Sequence, residues 1–149
     1  MKLSEHVSLS EFEHSNTAVR RGYNQKMNEE QIENAKALCE NIFEPVRKFR
    51  GAPIYISSGF RGLQLNRAIG GASSSQHCKG QAIDVNLTVQ EFHLIKDNLD
   101  FDQLIWEFGT TSQPQWVHVS YDRHKEKQRG QVLRAIKVNG RTKYIPFDL

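Results

Sequence analysis

A chain of 149 residues with 38% hydrophobic and 25% charged residues has the composition of one soluble globular domain. Its formal net charge of +3 is too small to mark a nucleic-acid footprint. No stretch approaches the roughly 20 apolar residues of a membrane span. Integral-membrane, fibrous and disordered classes are excluded, nucleic acid is not an expected partner, and a monomer is expected. Two cysteines, Cys39 and Cys78, are too few for a disulfide framework, and none is expected. The opening residues, Met1 to His6, carry no apolar run of the kind a secretory signal needs. Synthesis in a cytoplasm is expected, with any action outside the cell depending on another route of release.

In chain order, residues 8–14 suggest a short helix capped by Ser8 or Ser10. Asn28-Glu29-Glu30-Gln31 is a capping box. It opens a helix whose apolar positions, Ile32, Ala35, Leu38, Cys39, Ile42, Phe43 and Val46, recur at helical spacing. Cys39 on this stripe is expected to be a buried thiol, and Pro45 is expected to end or kink the helix. Residues 53–58 read as a strand, and Gly62 to Ala68 as a short helix closed by Gly70-Gly71. Ala82 to Leu87 reads as a strand. Thr88-Val89-Gln90-Glu91 opens a further helix to about Leu99. Phe101–Phe108 and Trp116–Tyr121 read as strands. Val132–Val138 and Arg141–Ile145 flank Asn139-Gly140, a strong hairpin signal. The order predicts an α+β domain, 1–149, with a mainly antiparallel sheet and helices on one face.

The chemistry concentrates in Ser75-Gln76-His77-Cys78-Lys79-Gly80-Gln81-Ala82-Ile83-Asp84 and in Trp116-Val117-His118-Val119-Ser120. Two imidazoles and a carboxylate, His77, Asp84 and His118, make a three-ligand zinc site with one coordination position open, the catalytic pattern. Gly80 allows the turn that folds the first segment back, because glycine takes positive φ without penalty. Asp84 opens an apolar strand, where an unpaired carboxylate would be costly and a metal would neutralise it. Alternation puts Trp116, His118 and Ser120 on one strand face. Cys78 adjoins His77 and lacks a partner at metal spacing. His6, His14, His93 and His124 also lack one. Glu107, between Trp106 and Phe108, is placed either to act as a base with a desolvation-raised pKa or to point into solvent. Arg61, after a strand end, suits a substrate carboxylate or carbonyl, or a structural salt bridge.

These residues resemble the zinc D-Ala-D-Ala carboxypeptidase family of peptidoglycan peptidases, whose signature is S-x-H-x-x-G-x-A-x-D followed by a later histidine. Ser75, His77, Gly80, Ala82 and Asp84 occupy its fixed positions. The resemblance extends over about residues 5–135. It includes Ser58-Gly59-Phe60-Arg61, Leu65 to Gly71, Phe101 to Glu107 and Trp116 to Ser120. It implies the small α+β fold shared with the hedgehog signalling domain. It also implies a zinc cofactor on His77, Asp84 and His118, substrate binding by Arg61 and Ser75, and a peptidoglycan stem peptide as substrate. Several branches place the catalytic Glu three residues before the last histidine, where this chain has Gln115. An amide cannot serve as a base. The hedgehog-like arrangement places it at the end of the preceding strand, which assigns the role to Glu107. Small size and the missing signal resemble phage-type lytic enzymes released by lysis. The rival readings are a non-catalytic zinc-stabilised binding module and a metal-dependent nuclease using the basic run Arg123 to Arg129. The run lacks the interleaved aromatics of single-strand binding. Carboxypeptidase and stem-endopeptidase action remain open alternatives.

Overall fold

Two short N-terminal segments pair with each other ahead of the first helix in the chain. Strands β1 (Lys2–Ser4) and β2 (Val7–Ser8) make a small antiparallel pair. Helix α1 (Leu9–Glu13) follows, capped by Ser8. The Ser8 hydroxyl accepts the Glu11 N–H at 3.2 Å, and the Glu11 carboxylate accepts the Ser8 N–H at 2.8 Å. A further helix, α2 (Asn16–Arg21), starts at Ser15. The computed structural model describes all of residues 1–149.

Helix α3 (Glu29–Leu38) begins at the Asn28 capping box. Pro45 does not end it. A π-helical turn, Cys39–Phe43, carries the helix into α4 (Glu44–Arg50), with Pro45 in the first turn of α4. Proline lacks the N–H of an α-helical bond and its ring crowds the carbonyl four residues back. The wider turn, in which the Glu44 N–H reaches the Cys39 carbonyl, absorbs both defects. The apolar stripe therefore runs on to a buried Val46. Arg50, at the end of α4, donates to the buried Glu91 carboxylate at 2.7 and 2.8 Å. That ties α4 to α6 (Val89–Asn98), which opens at the Thr88 capping box.

Strand β3 is shorter than predicted, Ile56–Ser58. Helix α5 (Leu63–Ala68) and a 3-10 turn, Gln76–Lys79, lead to β4 (Ala82–Val85). Strands β5 (Gln103–Glu107), β6 (Trp116–Ser120), β7 (Gln131–Val138) and β8 (Arg141–Pro146) complete a six-stranded sheet in the order β3-β4-β6-β5-β7-β8. Only β5 and β7 pair in parallel; the other neighbours are antiparallel. The α+β class and the mainly antiparallel sheet stand as predicted.

Alternation then sorts the strands into two faces. Ile83, Val85, Leu104, Trp106, Val117 and Val119 join Phe12, Leu38, Ile42, Phe92 and Ile95 of the helices in one apolar core. Asp84, His118, Ile105 and Glu107 fall on the opposite face. Cys39 is buried in the core, and both cysteines are free. No helix is long and apolar enough to cross a membrane.

Candidate active site

Asp84 and His118 are direct cross-strand partners in the middle of β4 and β6, so pairing register alone sets their side chains side by side. His77 arrives from the 3-10 turn. Ser75 caps that turn by accepting the His77 N–H at 3.3 Å. Gly80 closes it at φ 72°. A Cβ at Gly80 would stand 2.5 Å from the Gln31 carbonyl oxygen, so this position needs glycine twice over.

The protonation pattern of His77 follows from its neighbours. Nδ1 lies 2.8 Å from the Gly59 carbonyl oxygen, which can only accept, so Nδ1 carries the proton and donates. Nε2 is left with a lone pair. It is buried without a hydrogen-bond partner and stands 3.3 Å from Asp84 Oδ1. Two acceptors at that separation repel unless a cation, a proton or a metal ion, lies between them. His118 Nδ1 stands 3.2 Å from the same Asp84 oxygen. One donor atom from each of the three residues falls within 4.8 Å of the others. The donor set, two neutral imidazoles and a carboxylate, fits zinc, and the Gly59 carbonyl supplies the outer contact that fixes ring and tautomer. Burial alone would raise the Asp84 carboxyl, but positive charge on His77 and His118 and hydrogen bonds from them outweigh it and hold Asp84 well below the usual carboxylate range; with neutral imidazoles, a metal cation at the same place acts in the same sense. Asp84 is therefore ionised and ready to ligate. Cys78 is not part of the group.

Glu107 ends β5 two residues past Ile105, which pairs with His118, so it shares the trio's face. It is 6% exposed. Burial pushes its carboxyl up to about 7, with Asp84 adding to the rise and His118 and Arg61 opposing it. Gln115 lies exposed in the β5–β6 connection, tied to Glu107 only by its backbone N–H on the Glu107 carbonyl at 2.9 Å. Arg61 reaches Asp84 Oδ2 at 3.5 Å, Ser58 Oγ at 3.4 Å and Asn66 Oδ1 at 3.4 Å. These contacts are long, and the guanidinium still lines the cleft.

All six residues singled out from the sequence border one cleft of about 920 Å³. The structure adds members that local sequence signals do not reveal. Phe108 holds φ 56°, an uncommon backbone for a non-glycine residue, and packs on Trp116 with ring centroids 5.4 Å apart. Tyr144 reaches the cleft from β8. His6, which sequence spacing left alone, meets Glu44 at 2.6 Å and so ties the N-terminal strand pair to α4. The basic run is largely exposed, with Arg129 paired to Asp102 at 2.7 Å.

Over residues 5–120 the chain matches the family described as Peptidase M15. It belongs to the peptidase M15 family. No curated protein matches it significantly. Membership makes this M15 chain a metallopeptidase of a zinc-dependent family, acting on a peptide. The matched segment ends with β6, so the part of the cleft wall built by β7 and β8 lies beyond it.

Proposed function

We propose that this M15 peptidase hydrolyses a peptide bond in the peptidoglycan stem, with zinc on His77, Asp84 and His118 and with Glu107 as general acid and base. The observation that carries the reading is the orphaned, buried Nε2 of His77 facing a carboxylate oxygen at 3.3 Å. When bound there, zinc supplies Lewis-acid chemistry, polarising the scissile carbonyl and acidifying a water. Glu107 takes a proton from the attacking water as its oxygen adds to the carbonyl carbon. It returns a proton to the departing amine nitrogen as the C–N bond breaks. A carboxyl poised near 7 suits both transfers. Arg61 holds a substrate carboxylate or carbonyl, and the Ser75 hydroxyl borders the same cleft.

The trough continues along the strands past the trio in both directions. Gln103 and Gln131 lie two residues before Ile105 and Leu133, and Glu107 and Phe108 lie beyond Ile105. A peptide laid through its middle uses both arms, which favours stem endopeptidase action over removal of a terminal residue. Mass spectrometry of muropeptides before and after incubation tests this. New internal cleavage products that vanish with a chelator are expected. Their absence across several wall chemotypes, with zinc present, would leave the metal to a binding module.

A further inference from the structure

Tyr144 sits on β8, four places from β4 in the sheet order. It nevertheless lines the same cleft as Asp84 and Arg61. Strands four places apart in the sheet therefore contribute to one cleft. Across the strands, Glu107 pairs with Ala135 and Ala135 pairs with Tyr144, so Tyr144 continues the row that carries the proposed base. Burial, then the Glu107 and Asp84 carboxylates, raise the phenol, while Arg61 acts the other way. The phenol therefore keeps its proton at neutral pH.

No structural task accounts for this side chain. The residue is 53% exposed on an edge strand. The side-chain bond tying β8 to β7 runs from Lys137 to Thr142, and the Tyr144 hydroxyl takes part in none. In the row shared with Tyr144, Ala135 offers no side-chain donor and Glu107 is occupied as base, while Gln103, Gln131 and Thr142 lie at other positions along these strands. We infer that Tyr144 is a catalytic residue whose hydroxyl donates a hydrogen bond to the scissile carbonyl oxygen as that oxygen gains negative charge. This rests on the peptidase reading above. It locates a transition-state contact in the hairpin outside the segment matched to M15 peptidases. A donor aimed at developing charge stabilises the transition state more than the bound substrate.

The test is Tyr144→Phe in the zinc-loaded protein, read by kinetics on a wall peptide and by calorimetry with a phosphinate analogue of the scissile dipeptide. The phosphinate presents a tetrahedral anion where the attacked carbonyl would be. Because only an unbonded hydroxyl is removed, zinc content and melting temperature should be unchanged. The variant should lose about 10²-fold in kcat, keep KM within about twofold, and bind the phosphinate about 10-fold more weakly. Unchanged kcat and unchanged phosphinate affinity would overturn the inference alone. So would a rise in KM with phosphinate affinity intact, which makes Tyr144 a ground-state contact. A zinc-loaded parent that neither cleaves any wall peptide nor binds the phosphinate overturns the peptidase reading and this inference with it.

Discussion

Glu107 owes its chemistry to burial on the cleft face of β5, and two measurements read that burial separately. In catalysis, Glu107→Gln removes the proton acceptor and keeps the shape. Loss of a general acid–base group typically lowers rates by about 10²–10⁴-fold, so the variant should fall within that range while retaining zinc and fold. Gln115→Ala should lose far less, because its side chain is exposed outside the cleft. Steady-state rates of both variants beside the parent decide it, and a Glu107→Gln enzyme within a few-fold of the parent would move the base elsewhere. In stability, the folded Glu107 carboxyl is raised from 4.5 to about 7. The folded protein therefore keeps a proton that the unfolded chain gives up. Stability from this group is intact below about 4.5 and falls as pH climbs to about 7, by on the order of 3 kcal/mol. Metal-free Glu107→Gln should gain on the metal-free parent through that window and hold a constant lead above it. Denaturant unfolding of both proteins across pH checks this; a gap independent of pH would mean that Glu107 is not desolvated.

At the scale of elements, the legible features were those whose cause is local. The Asn28 and Thr88 capping boxes start α3 and α6 where the sequence puts them, and Asn139-Gly140 turns the last hairpin with both residues at positive φ. Pro45 was expected to end or kink the helix; the helix does not end there, because a π turn opens the ladder ahead of the proline and the buried stripe holds the helix together. Helix α2 is too short to show a period; the Ser15 cap and Gly22 at its other end were its only signals. The 3-10 turn holding His77 is the element most exposed to a single change. Gly80→Ala must place a side chain at φ 72° against the Gln31 carbonyl. The left-handed backbone alone costs about 1–2 kcal/mol, and relief of the clash displaces His77 from Asp84. Thermal unfolding and zinc competition with a chelator should show both lower stability and weaker zinc binding. Lower stability with unchanged zinc affinity would mean that the turn does not position the ligand.

Taken whole, the molecule is a sheet with an apolar face under helices and an opposite face that borders a cleft. The trio was legible because three residue types at motif spacing needed one another: a carboxylate and an imidazole in apolar strands are costly singly and compatible around a cation. Phe108 and Tyr144 were not legible. Their place in the cleft depends on the β5–β7 parallel pairing and on the strand order, both set by contacts distant in sequence. The central claim is that His77, Asp84 and His118 act together as one zinc site. It is tested most directly by the metal content of purified protein, parent beside His77→Ala, Asp84→Ala and His118→Ala, each checked for fold by circular dichroism. A single tightly held zinc in the parent, with marked loss in every folded variant, is the predicted result. Full zinc occupancy in the folded His77→Ala and Asp84→Ala proteins would contradict it.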